Sequence, residues 1–389
     1  MKQIAARTSV EMEGPVYLDC NATTPIEPAV LEEMNRLWAN EPGNAGSRTH
    51  EYGLRAKKLV QKAREQIATV VWAKPEEVIF TSGATESSNI AILGLAAHAK
   101  DTGRCHIVST EIEHKAVMEP LEQLAKRGFK VTHVPVGQSG AVTADAIGAA
   151  LRDDTGLVSV MHVNNETGII QPVKEIARLL GGHPAYFHVD AAQGFGKELD
   201  GLRCPRIDLI SVSSHKIFGP VGIGSLIVRR RGFERIPLQP IVFGGGQERG
   251  LRHGTLPVPL VAGIGLAAEI AVRDHETRQA RCLEIRGSAL DALASVGIRQ
   301  NGDPRFVLPH VLNFSIDGVD AEALMVALKN LIAVSNGSAC TSQSYEPSHV
   351  LAAMGLSDAR IAGAVRMSWC HMTPNVDWPT VANRIASIA

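Results

Sequence analysis

Short apolar runs that each end in polar residues, separated by turn and helical segments, recur through the first half of the chain and leave it few architectures. Val78-Ile79-Phe80, His106-Ile107-Val108-Ser109, the run around Val134, Val158-Ser159-Val160-Met161, Tyr186-Phe187-His188-Val189 and Ile207 to Val212 have the length and content of buried strands. Gly222 to Val228 reads as one more. Helical spacing occupies Glu27 to Ala39, Leu54 to Val71 and Ser87 to Ala97. Such alternation predicts an α/β fold with a mostly parallel sheet covered by helices on both faces. Ligands in such sheets bind beyond the carboxyl ends of the strands. Thr85, His114, Asn165, Asp190 and Lys216 all stand at or just after those ends, so one crevice can collect them.

The chemistry centres on Lys216, in Ser213-Ser214-His215-Lys216, where a strand pattern stops before the Gly219-Pro220 turn. Taken alone, such a lysine is better explained as a surface side chain in a polar turn. Three upstream stretches favour an amine that forms a Schiff base with a carbonyl cofactor. Asp190 ends a strand pattern, where the counter-ion of a protonated ring nitrogen is needed. Thr81-Ser82-Gly83-Ala84-Thr85-Glu86 opens a helix with small residues, which presents backbone N–H groups to a phosphate. His114 follows a third strand and suits ring stacking or proton transfer. Cys340, in Asn336-Gly337-Ser338-Ala339-Cys340-Thr341-Ser342, has few apolar neighbours to bury against and is expected to be accessible.

At 389 residues the chain exceeds what one core usually holds, so a large and a smaller domain are expected. A net charge of −1 argues against a global field for nucleic acid or an anionic membrane. The six cysteines, at 20, 105, 204, 282, 340 and 370, form no C-x-x-C pair, as in a reducing compartment. Met1 to Arg7 lacks an apolar signal core, and the longest apolar stretch, Leu256 to Val272, is interrupted by Pro257, Pro259 and Glu269. A cytoplasmic enzyme without a membrane span or metal site is expected.

The ordered set of motifs at residues 81–87, 113–117, 163–168, 188–193, 213–220, 252–255 and 336–342 (TSGATES, EHKAV, VNNETG, HVDAAQ, SSHKIFGP, RHGT and NGSACTS) resembles the cysteine desulfurases of the NifS/IscS type. These are class V aminotransferase enzymes of pyridoxal 5'-phosphate (PLP) fold type I, the aspartate-aminotransferase-like fold, and the GSACTS loop marks one subgroup. The resemblance implies a large PLP-binding domain at 27–262 and a small α/β domain from 1–26 and 263–389 that carries a catalytic cysteine loop at about 335–346. It assigns catalysis to Cys340, Lys216 and His114. It assigns cofactor binding to Lys216, Ala84, Thr85, His114, Asn165, Asp190, Gln193, Ser213, His215 and Thr255, and substrate binding to Arg366 and Asn165.

By the same resemblance, L-cysteine yields L-alanine and a persulfide on Cys340, which a sulfur-acceptor protein receives for iron–sulfur cluster assembly, tRNA thiolation or DNA phosphorothioation. Thr255 would reach the neighbouring subunit of a homodimer. A loop like that of His50 borders the active site in the family. An inactive sulfur-relay subunit, a selenocysteine lyase and an aminotransferase of the same fold are the alternatives. The chain departs from the family pattern twice: Cys20 replaces an asparagine, and Trp369-Cys370-His371 follows Arg366-Met367-Ser368 where Leu-Gly-Arg is usual.

Overall fold

A computed structural model describes residues 14–337 and 347–388. Its main sheet has seven strands in the order Val78–Thr81, Gly224–Val228, Leu209–Ser213, Tyr186–Asp190, Thr155–Met161, His106–Thr110 and Lys130–Val134. Gly224–Val228 runs antiparallel to both neighbours, and the remaining pairings are parallel. The central strands read as near-continuous apolar runs because helices bury both faces. Thr81, Thr110, Met161, Asp190 and Ser213 therefore end on the same side of the sheet.

Helices Pro28–Asn40 and Glu51–Val71 pack against Val258–Arg273. The close approach depends on Gly265, where an added Cβ would sit 2.7 Å from the Ala63 Cα. The stretch from Leu260 to Leu290, which the sequence reads as one long helix joining the two domains, is not one helix. It breaks at Asp274 and restarts as His275–Leu293. The first helix contributes Val261, Ile264, Ala268 and Ile270 to the core beside the main sheet, so the expected boundary after residue 262 falls inside it. The second contributes Ile285, Ala289 and Leu293 to another core.

That second core surrounds an antiparallel sheet of Arg299–Gln300, Val311–Ser315 and Val365–Ser368, capped by helices Ala321–Leu328 and Trp378–Ala386. Val16–Tyr17 pairs with Ile332–Ala333 beside it. The chain after Tyr17 then stitches the two bodies together. Cys20 N donates to Ser368 O at 3.0 Å, and Thr24 N donates to His215 O at 3.1 Å.

Candidate active site

Beyond the strand ends lies a cavity of about 650 Å³ whose wall includes Asn21, Thr85, His114, Asp190, Lys216 and Arg366. At one end the helix Ala84–Leu93 begins at Gly83, with no side chain capping its first turn. Its unspent N–H groups and dipole favour an anion there. The neighbouring strand must keep a glycine here: a Cβ on Gly224 would lie 2.6 Å from the Gly83 Cα. Ala84, Thr85, Ser213 and His215 line the same end. Glu86, also in the first turn, pairs with Arg252 at 3.0 Å. Burial works to raise its pKa, but Arg252 and the Ser82 N–H outweigh that and hold it below the ordinary carboxylate value.

Lys216 closes a short turn, Ser214–Lys216, directly after its strand. Its amine donates to the carbonyls of Asn21 and of Ala22, the latter at 2.7 Å. Two residues on, Phe218 adopts φ 67°, a conformation that is costly for a bulky side chain, and it is held there by burial. The His215 Nδ1 lies 3.0 Å from the Thr23 hydroxyl. Burial first, then Lys216 and Lys197, lower its pKa to about 4, so its ring is neutral near pH 7.

Asp190 ends its strand with Oδ1 accepting from Ala192 N at 3.0 Å. Desolvation raises its pKa although His114, the Ala192 N–H and Lys216 oppose the shift. His114 caps helix Lys115–Ala125, its Nδ1 accepting from Ala116 N at 3.1 Å. Gln193 donates from Nε2 to Asn21 O at 2.9 Å, while its Oε1 is buried with no hydrogen-bond partner among the described residues, as is Asn21 Oδ1.

At the other end Arg366 is buried, and Nη2 bonds Asp19 at 2.5 Å and Ser335 Oγ at 2.9 Å. Its Nη1 donates to the Asn165 carbonyl at 2.9 Å. Asn21 Nδ2 donates to the same carbonyl at 3.1 Å. Gly337 lines the cavity beside them. Cys340 lies outside the described residues. On the far side of that segment, Ser348 donates to Glu166 Oε2 at 2.5 Å.

The structure gathers every expected site residue within its described part except Thr255, which is exposed and away from the cavity. His50 does not border the site either: it caps helix Glu51–Val71 by accepting from Gly53 N at 3.1 Å. Asn21 was the residue passed over. It receives Lys216 and Gln193 and holds Asn165, and its only sequence signal was a polar run, Asp19 to Thr24, after a short apolar one. Glu113 was passed over as well. It is fully buried, accepting from Thr110 Oγ1 at 2.6 Å and Met161 N at 2.9 Å, and burial raises its pKa to about 8.

The residues fit PLP. Asp190 is a buried carboxylate whose charge lacks enough compensation and suits a cationic ring nitrogen. Gln193 and Asn21 offer unsatisfied polar atoms, and the helix start suits a phosphate. No cluster of His, Cys, Asp or Glu suited to a metal occurs among the described residues, and no helix among them is long and apolar enough to cross a membrane.

Residues 16–377 match the aminotransferase class-V family. The cysteine desulfurase IscS of Vibrio vulnificus is 44% identical over 96% of this chain and 93% of its own. Among solved structures, DndA from Streptomyces lividans is 51% identical with a TM-score of 0.81, covering 91% of this chain and 99% of that one. SspA in complex with cysteine is 35% identical, with a TM-score of 0.80 over 91% and 98%.

Proposed function

The chain belongs to the class-V aminotransferase family and is a PLP-dependent cysteine desulfurase, and from that premise we propose how its own residues divide the work. L-cysteine is the substrate. Bound PLP supplies an electrophilic carbonyl and an electron sink at the substrate Cα. Lys216 would hold that carbonyl through its amine and would carry the substrate Cα proton on Nζ. The Asp190 carboxylate holds the positive charge of the ring nitrogen. His114 would pack against the ring and move protons, and Gln193 would bond the ring hydroxyl. Ala84, Thr85, Ser213 and His215 hold the phosphate, joined by Thr255 from the second copy in a homodimer.

Arg366 and Asn165 bind the substrate carboxylate, a task suited to a guanidinium already fixed in place. The Cys340 thiolate attacks the substrate sulfur: an S–S bond forms, the C–S bond breaks, and the carbon product leaves as L-alanine. The persulfide on Cys340 then passes to an acceptor protein serving iron–sulfur clusters, tRNA or the DNA backbone, in the cytoplasm and with no direct contact to nucleic acid or membrane. The two bodies divide at Asp274, where the helix breaks, with residues 14–26 belonging to the smaller one.

The observation that carries this reading is the convergence of Asp190, Lys216 and Arg366 on one cavity. Alanine release from L-cysteine with a reductant present tests it. Turnover by the native protein and near-complete loss in Cys340→Ala is expected. Equal turnover in both would remove Cys340 from the mechanism.

A further inference from the structure

The two places where the motifs change, Cys20 and Cys370, lie 350 residues apart in sequence and touch in the fold. Their side chains pack in one small buried cluster with Phe218, at 1% and 2% exposure. They share the wall of a small cavity, about 40 Å³, with Lys197 and His310. That space accepts a few water-sized molecules. The same wall includes Gln279, an exposed residue, which gives the cavity a side toward solvent.

The surroundings favour a thiolate at one of the two sulfurs. Lys197 is partly buried, its Nζ 3.4 Å from His310 Nε2, and desolvation lowers its pKa to about 8. His310 is kept neutral by burial and by the charges of Lys197 and Arg286, so it does not compete as a cation. Donation from Cys20, followed by the nearby His371 and the Met372 N–H, lowers the Cys370 thiol, whereas the Cys20 thiol is raised. Cys282, the third thiol on the wall, is pushed up to about 12 by burial and stays protonated. His371 and Arg278 are tied to Glu27, at 3.1 Å and 2.6 Å. A thiolate beside a half-buried ammonium, with a second thiol packed against it, is the arrangement of a reactive pair.

Cys20 is also the residue before Asn21, which receives the Lys216 amine and the Gln193 amide and holds the Asn165 carbonyl. We propose that Cys20 and Cys370 form a peroxide-sensitive dithiol site whose oxidation to a disulfide pulls on Asn21 and loosens the cofactor side of the active site. The oxidant is hydrogen peroxide or another small hydroperoxide. The Cys370 thiolate attacks the peroxide, forming an S–O bond as the O–O bond breaks and hydroxide leaves. The Cys20 thiol then attacks the sulfenic sulfur, forming the S–S bond and releasing the oxygen as water. Two thiols are oxidised, one peroxide is reduced, and two waters result after protonation.

The modification is independent of the desulfurase reading, while its effect on the site rests on that reading. The two are separated by working in Cys340→Ala, so that the reactive loop thiol does not consume peroxide. Holoprotein is treated with stoichiometric hydrogen peroxide, and peptides are mapped by mass spectrometry. A Cys20–Cys370 linked peptide, the loss of two titratable thiols, and recovery of both with dithiothreitol are expected, with no link in Cys340→Ala/Cys370→Ser. Oxidation of Cys105 or Cys204 while Cys20 and Cys370 remain thiols would overturn the site. So would conversion of Cys370 to a sulfinic acid without linkage. The oxidised protein is then passed through gel filtration, and retained cofactor is read by absorbance. A several-fold greater loss than from the reduced protein is expected, whereas equal retention by the linked protein would overturn the coupling to Asn21.

Discussion

At one end of the cavity the Asp190 carboxylate is buried with its pKa pushed up, whereas at the other the Arg366 guanidinium is met by Asp19, Ser335 and the Asn165 carbonyl. Both are nearly excluded from solvent, at 5% and 3% exposure, so burial alone does not separate them. The difference lies in who supplies the compensating charge. Arg366 takes its partner from the same chain, and its geometry is fixed before substrate arrives. Asp190 draws partial compensation from His114, the Ala192 N–H and Lys216, which burial outweighs, so a cation on the ligand would complete it. The cofactor end is thus built to be completed, and the substrate end is built to be rigid.

The largest expected effect breaks the first half of that contrast. Asp190→Asn keeps the shape but removes the charge opposite the ring nitrogen, and alanine formation should fall on the order of 10³-fold, as for other preorganised charges lost from a reacting site. Cofactor absorbance should shift as well. A loss below tenfold would show that Asp190 does not carry the ring charge. Arg366→Lys keeps a cation and loses the planar fork. Its KM for L-cysteine should rise by about 10–100-fold, the scale of one or two charge-assisted hydrogen bonds, with a smaller change in kcat. Asp19→Asn leaves Arg366 in place but unbalances it, so a rise of about tenfold or less is expected. Should Asp19→Asn exceed Arg366→Lys, the rigidity of that end would reside in the carboxylate.

Glu113 sharpens the comparison through stability. Its folded pKa of about 8 lies above the ordinary 4.5, so between those values the folded protein keeps a proton that the unfolded chain has released. Stability from this group is present below about pH 4.5 and is lost as pH rises toward 8. Glu113→Gln removes that dependence. Its melting temperature relative to the native protein should be unchanged near pH 5 and should gain by a few degrees near pH 8. A difference that does not grow with pH would show that Glu113 ionises normally.

Much of the cavity was legible because strand ends are local signals. Asp190, Lys216 and the helix start at Ala84 each follow an apolar run within a few residues, and the sheet rule brings such ends together. What escaped depends on contacts that no local pattern encodes. Asn21 acquires its role from Lys216, Gln193 and Asn165, all more than 140 positions away. The Cys20–Cys370 contact arises because Ser368 pairs with Asp19 across the second core. No proline or glycine interrupts the helical reading between Gly265 and Arg286, and the break at Asp274 reflects a helix leaving one core for another. His50 shows the converse: the family resemblance put its loop beside the site, and the local need for a helix cap took the side chain instead.

The central claim is that the cavity at the strand ends holds PLP on Lys216. Borohydride reduction of the purified holoprotein, followed by peptide mapping, tests it directly. The account predicts a phosphopyridoxyl mass on the peptide containing Lys216 and its absence in Lys216→Ala. A label on Lys197 or any other lysine in the native protein, with Lys216 unmodified, would contradict it.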